Sequence, residues 1–279
     1  MSAPVVPLPH GGGIPQLGFG TYKLAAADAE AAVRDALEAG YRHVDTAAMY
    51  RNEAAVGRAL AASGLPREEL FVTTKLDNPD HAPAAARAAF ERSLSELGLD
   101  YVDLYLIHWP LARSTDYVAT WETLLELRAS GRAREVGVSN FQPEHLRKIS
   151  AATGEASAVN QVEIHPYLAQ NPLRALHHEL GVVTEAWSPL ARGRVLGDPA
   201  IAGVAARLGR TPAQVVLRWH LQRGDVVIPK ASTPARIAEN LDVFGFALDA
   251  AAMAELDGLD RGQRTGSHPD AVELDQGRR

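Results

Sequence analysis

Two kinds of segment alternate along the chain. Short runs rich in β-branched and aromatic residues occupy positions 42–47, 70–76, 102–109, 135–140, 158–164, 182–187 and 225–231, with a weaker first member at 17–22. Several are apolar on both faces, as in Leu104-Tyr105-Leu106-Ile107. That is the pattern of strands covered on both sides in a parallel sheet. Alanine-rich segments with helical spacing lie between them. Ala86, Phe90, Leu94 and Leu97 step by four, four and three, and Trp121, Leu124 and Leu125 mark the inner face of another helix. Gly40, Gly64, Gly98, Gly131, Gly154, Gly181 and Gly224 each stand between a helical segment and the next β-rich run, where a left-handed residue closes a helix. Helix starts are marked by Asn171-Pro172, Asp198-Pro199, Thr211-Pro212 and Thr233-Pro234, a capping side chain before a proline at the first helical position. Thr211 with Gln214 also fits a capping box.

Eight strands alternating with helices predict an α/β fold, a (β/α)8 TIM barrel, with residues 1–279 forming one barrel domain. Residues 4–14 read as a hairpin with a glycine-rich turn that closes the barrel bottom, and the stretch after Leu259 as an irregular C-terminal loop. An open doubly wound sheet is disfavoured, because Gly18-Phe19-Gly20 stops short of Gly-x-Gly-x-x-Gly and leads into no immediate helix. The adjacent glycines 11–13 lack the following Lys-Ser/Thr of a phosphate-cradling loop.

Composition narrows the function classes. The 279 residues carry 28 Lys plus Arg against 34 Asp plus Glu, a formal net charge of −6. That sign gives no overall attraction to nucleic acid. There is no cysteine, so disulfides, thiol nucleophiles, Fe–S clusters and thiolate zinc sites are excluded. No segment approaches the roughly 18 apolar residues of a membrane span, and the proline-broken start is unlike a signal peptide. A cytoplasmic, monomeric protein without membrane or nucleic-acid partners is expected.

In such a barrel the reactive groups belong at the C-terminal ends of the strands. The polar residues there are Asp45 on the second strand, Lys75 on the third, His108 on the fourth, and Ser139 with Asn140 on the fifth. Gln161 and Glu163 follow on the sixth, Trp187 and Ser188 on the seventh, and Lys230 on the eighth. Tyr50 lies five residues past Asp45. Only four lysines are present, and two of them, Lys75 and Lys230, fall at strand ends. The group suits proton donation to a carbonyl. Tyr50 would donate, the Lys75 ammonium would lower the phenol pKa, Asp45 would anchor Lys75, and His108 would orient the substrate oxygen. No nucleophile is required, so the electrons must come from a hydride donor.

The segments Gly-Tyr-Arg-His-Val-Asp-Thr-Ala-Ala-Met-Tyr (40–50), Thr-Thr-Lys-Leu (73–76), Tyr-Leu-Ile-His-Trp-Pro (105–110), Gly-Val-Ser-Asn (137–140), Asn-Gln-Val-Glu-Ile-His-Pro (160–166) and Ile-Pro-Lys (228–230) resemble the aldo-keto reductase family over nearly the whole chain. Ala-Trp-Ser-Pro-Leu (186–190) and Glu-Asn-Leu-Asp-Val-Phe (239–244) are similar to its bacterial 2,5-diketo-D-gluconate reductase group. The resemblance implies catalysis by Asp45, Tyr50, Lys75 and His108, NADPH as cofactor, and a small-molecule carbonyl substrate. It implies that Ser139, Asn140 and Gln161 hold the nicotinamide amide and Trp187 stacks on its ring. Ser188 and Leu190 would meet the pyrophosphate, Lys230 and Arg236 the 2′-phosphate, and Glu239 and Asn240 the adenine.

Two positions depart from that pattern. Ala231 stands where the family usually has Ser, with Ser232 one place later as a substitute contact. Asp77 stands where many relatives have Trp. It is expected either to border the mouth and disfavour anionic substrates or to cap the turn at Asn78-Pro79. Tyr22 and Trp109 remain as aromatic walls. Two other readings stay open: a Schiff-base aldolase using Lys75 or Lys230, and a non-catalytic nicotinamide-binding sensor on the same fold. His165 is expected to be structural, and the adjacent His177 and His178 point in different directions, which disfavours a metal site.

Overall fold

The structure is a computed structural model that describes residues 3–274. The chain opens with strands β1 (Val5–Pro7) and β2 (Gly13–Pro15), an antiparallel pair in which Val6 faces Ile14. Eight parallel strands follow in sequence order: β3 (Phe19–Gly20), β4 (His43–Asp45), β5 (Phe71–Leu76), β6 (Val102–Ile107), β7 (Ala133–Ser139), β8 (Val159–Glu163), β9 (Val183–Trp187) and β10 (Val226–Val227). Each pairs with the next, and Leu17 and Gly18 bridge back to Val227, so the first strand meets the last.

The crossovers are helices α1 (Ala26–Ala39), α2 (Glu53–Ala62), α3 (Pro83–Leu97), α4 (Tyr117–Ala129), α5 (Pro143–Thr153) and α6 (Asn171–Leu180). The connection after β9 carries two, α7 (Pro199–Leu208) and α8 (Pro212–Gln222), and α9 (Pro234–Leu241) and α10 (Ala250–Asp257) follow β10. Their apolar stripes are the ones the spacing predicts. Ala86, Phe90, Leu94 and Leu97 on α3, and Trp121 and Leu124 on α4, are all buried against the sheet.

The helix ends show where local chemistry succeeds and where it yields. The Thr211 hydroxyl accepts from Gln214 N while the Gln214 side chain bonds Thr211 N, completing the capping box of α8. Asp198 caps α7 through Ala200 N. Asn171, by contrast, is the first residue of α6 rather than its cap, because Gln170 takes a left-handed backbone (φ 52) just before it. The last strand is much shorter than the run 225–231, since Pro229 has no N–H to continue the ladder.

The hairpin sits under the barrel. Leu8 and Ile14 pack with Phe71, Leu104, Leu106, Ala158, Val159 and Val226, residues inside the barrel or at the N-terminal ends of its strands. His10 bonds Glu135 from below at 2.9 Å. With that end filled, the polar strand ends gather at the opposite rim. Among the described residues no helix is long and apolar enough to cross a membrane.

Candidate active site

At the rim a cavity of about 280 Å³ is lined by Tyr22, Asp45, Tyr50, His108, Trp109, Ser139, Asn140, Gln161, Trp187, Ser188 and Lys230, together with Met49, Arg192, Gly266 and Ser267. It adjoins a longer groove of about 740 Å³ running over Leu190, Thr211, Ala231, Arg236, Glu239 and Asn240. Tyr22, Ser188, Pro189, Arg192 and Lys230 belong to both.

Asp45 is the last residue of β4, and the chain turns at once into a 3₁₀ turn, Ala48–Tyr50, that swings Tyr50 back over the barrel axis. Lys75, the neighbour on β5, is fully buried. Its Nζ donates to Asp45 Oδ1 at 2.6 Å and to the Thr46 carbonyl at 2.9 Å. The ammonium lies 5.2 Å from the Tyr50 ring centroid, and the His108 ring meets the Tyr50 ring edge-on at 5.6 Å. Burial and then the Lys75 charge hold His108 well below its ordinary pKa, so the imidazole is neutral. Tyr50 differs from the sequence expectation. Burial, followed by the Asp45 charge, pushes the phenol well above its ordinary value instead of Lys75 lowering it. Burial is the larger cause, and the Asp45 carboxylate that holds Lys75 offsets the ammonium at the phenol.

Around this group the strand ends interlock. Ser139 Oγ donates to the Gln161 carbonyl at 2.8 Å, Asn140 Nδ2 donates to the His108 carbonyl at 3.0 Å, and Trp187 Nε1 donates to Asn140 Oδ1 at 2.9 Å. Gln161 Nε2 donates to Asp45 Oδ2 at 2.7 Å and to Glu185 Oε2 at 2.8 Å. Both amide hydrogens of Gln161 are therefore committed, and its carbonyl oxygen is the end left for a ligand. Gly266 lies flat on Trp187: a Cβ built there would come 2.5 Å from the indole Cη2. Glu163 anchors that loop by accepting from Thr265 N, Thr265 Oγ1, Gly266 N and the His165 ring. His165 is thus a buried partner of Glu163, and His177 bonds Asn160 and Thr184.

Two nominated residues stand apart. Asp77 is buried away from the mouth. Its Oδ1 caps the turn Asn78–Asp80 through Asn78 N, and its Oδ2 meets Arg51 Nη2 at 3.1 Å. The Asp-Asn-Pro turn chemistry decides its direction, so Asp77 neither lines nor charges the cavity. Ser232 is exposed on the turn into α9 and lines neither hollow. Ala231, buried one place earlier, is the residue that faces the groove. Sequence reasoning passed over Glu185, a carboxyl inside an otherwise β-rich run. It also passed over Arg192, whose left-handed backbone (φ 55) turns it into both hollows. The first had a legible signal, a carboxyl in the middle of a β-rich run. The second had none.

A family model described as the aldo/keto reductase family matches residues 13–261. An aldo-keto reductase of Mycolicibacterium smegmatis is 51% identical over 267 residues, 96% of this chain and 97% of that one. Among solved structures, the apo form of Gox0644 is 44% identical with a TM-score of 0.94, covering 98% of this chain and 100% of that one. A Bombyx mori aldo-keto reductase in complex with NADP is 36% identical with a TM-score of 0.90, covering 96% of each chain. The fold is a (β/α)8 barrel with its polar groups gathered at one rim. The chain belongs to the aldo/keto reductase family.

Proposed function

We infer that the protein is an NADPH-dependent carbonyl reductase, with Asp45, Tyr50, Lys75 and His108 as its catalytic residues. The observation that carries this reading is the buried Asp45–Lys75 pair directly beside Tyr50 and His108, on the floor of a cavity that opens into a long cationic groove.

The groove fits the cofactor. Arg192, Lys230 and Arg236 line it, and charge-assisted bonds suit phosphates. The N-terminus of α9 adds backbone donors at the same end, where Thr233 makes no side-chain cap. Leu190 and Ser188 would border the pyrophosphate, Glu239 and Asn240 the adenine, and Ser139, Asn140, Gln161 and Trp187 the nicotinamide. The similar Bombyx mori protein was solved with NADP and a Gox0644 variant with NADPH. When bound, the cofactor supplies a hydride, the electron pair that forms the new C–H bond at the carbonyl carbon.

The chain's own residues do the rest. Neutral His108 donates a hydrogen bond to the carbonyl oxygen and orients it. Tyr50, uncharged at neutral pH, gives its proton to that oxygen as negative charge develops, breaking its O–H bond and leaving a phenolate. A high phenol pKa is no obstacle, since an alkoxide is a stronger base than a phenolate. Lys75 then stabilises the phenolate until solvent returns the proton, and Asp45 keeps Lys75 in place. Tyr22 and Trp109 wall the substrate. A Schiff-base route through Lys75 is disfavoured, because its Nζ is held by Asp45 and Thr46 rather than presented to the cavity.

The substrate is a small aldehyde or ketone, with 2,5-diketo-D-gluconate and related keto-sugars among the candidates. The test is NADPH oxidation against 2,5-diketogluconate, methylglyoxal and aromatic aldehydes. Turnover with none of these, by protein that binds NADPH, would favour a sensor instead.

A further inference from the structure

Beneath the Asp45–Lys75 pair lies a carboxyl for which the reductase reading has no use. Glu185 stands in the middle of β9, fully buried, as the register partner of Gln161 on β8. The single nitrogen Gln161 Nε2 joins it to Asp45, at 2.8 Å and 2.7 Å. Asp45, which lines the cavity, and the buried Glu185 are thereby tied into one unit.

The groups facing Glu185 are few. On β4, His43 Nε2 is 3.7 Å from Glu185 Oε1, beyond hydrogen-bond length, and 3.2 Å from Thr73 Oγ1. Burial pushes His43 down to about 3, so it is neutral and brings no charge to the carboxyl. On β4 also, Asp45 brings a negative charge, and on β5 Lys75 has its hydrogen bonds directed at Asp45 and Thr46. On β10 the neighbours are Val226 and Val227, without charge. Glu185 Oε1 has no hydrogen-bond partner among the described residues. A neutral carboxylic acid accepts from Gln161 on one oxygen and holds its proton on the other. A carboxylate here would leave that second oxygen both charged and unpaired, which a buried site strongly disfavours.

We propose that Glu185 is a positioning residue for proton transfer from Tyr50: as a neutral acid it fixes Gln161 and, through it, Asp45, and its ionisation slows reduction. The inference rests on the reductase reading. Its logic is the charge balance of the floor. With Glu185 neutral, one carboxylate faces one ammonium. With Glu185 ionised, two carboxylates face it, and the phenolate that Tyr50 must become is opposed by the extra charge. The titrations agree in direction. Burial, then the Asp45 charge, raises Glu185 to about 8, and the Glu185 charge is itself among those that raise Tyr50. Below that pH Glu185 keeps its proton, and above it the rate declines.

Glu185→Gln mimics the neutral acid in shape and as an acceptor for Gln161. The experiment measures kcat for one aldehyde, at saturating NADPH, at about pH 7 and about pH 9, and compares the ratio within each protein, so that any absolute loss cancels. The wild type is expected to slow about five- to tenfold over that interval and Glu185→Gln by less than about twofold. An unmoved ratio in Glu185→Gln overturns the proposal while leaving the reductase reading intact. Absence of turnover by the wild type at pH 7 sinks that reading and this proposal with it. If the variant does not fold, infrared difference spectra of the wild type decide. A carboxylic-acid C=O band present at neutral pH and lost around pH 8 supports a neutral Glu185, and the absence of such a band overturns it.

Discussion

Tyr50→Phe removes one oxygen and its proton while leaving the ring packed between Tyr22 and His108. Carbonyl reduction is expected to fall about 10²–10⁴-fold with NADPH affinity near normal, read from single-turnover rates and cofactor titration. Retention of a tenth of the wild-type rate would count against Tyr50 as the donor. Ala231→Ser returns the hydroxyl that the resemblance implies for 2′-phosphate binding. It is expected to tighten NADPH by about 0.5–1.5 kcal/mol and leave NADH unchanged, measured as two dissociation constants. Asp77→Asn is expected to leave the ratio of kcat/KM for anionic and neutral carbonyls unchanged, and to cost little stability, since its partner Arg51 is 78% exposed. At this scale the gathering of Asp45, Tyr50, Lys75 and His108 was legible, because the ends of neighbouring barrel strands share one rim. The direction of Asp77 was not. Two residues beyond Lys75 the chain has left the strand, and turn chemistry rather than barrel geometry aims the side chain.

Elements were legible wherever their pattern was local. The stripe on α3 and the capping box on α8 needed no knowledge of the rest of the molecule. Thr211 shows what such a cap also does at a distance, since its hydroxyl donates to Glu239 at 2.6 Å on the wall of the groove. Thr211→Ala is expected to lower stability by about 1 kcal/mol in denaturant titration and to weaken cofactor binding as Glu239 loses its hold. The C-terminal loop was legible only as irregular, for nothing in its sequence says that the Glu163 carboxylate, 102 residues away, gathers Thr265 and Gly266. Gly266→Ala forces either the loop or Trp187 to shift, given the 2.5 Å approach of its Cβ. Its expected signature is a raised KM for bulky carbonyls with kcat less affected. An unchanged KM would mean that the loop does not shape the pocket.

For the molecule as a whole, buried titratable groups set the pH window. Burial lowers His43 to about 3 and His81 and His177 to about 4, against 6.5 in an unfolded chain. The unfolded chain therefore takes up protons that the folded one refuses. The associated stability is fully present above about pH 6.5 and is lost as the pH falls toward 4, at up to about 1.4 kcal/mol per pH unit for each imidazole. Glu185 acts in the opposite sense. Its raised pKa favours the fold at low pH, and that contribution is lost as the pH rises through about 8. Melting temperatures followed by circular dichroism should peak near neutrality and fall steeply below about pH 6. A flat profile between pH 7 and 4 would show that these imidazoles are not neutral in the fold. None of this could be read from composition, since ten histidines in a sequence do not reveal which are enclosed.

The hairpin beneath the barrel makes the interior a cul-de-sac. Leu8 and Ile14 stopper one end, and the side of Gln161 that meets open space is the rim cavity it lines with Tyr50 and His108. A molecule lodged there acts as a cork. Deuterium uptake at the Gln161 side-chain amide, followed by NMR, then becomes a gauge of occupancy, slowing in proportion to the time the doorway is blocked.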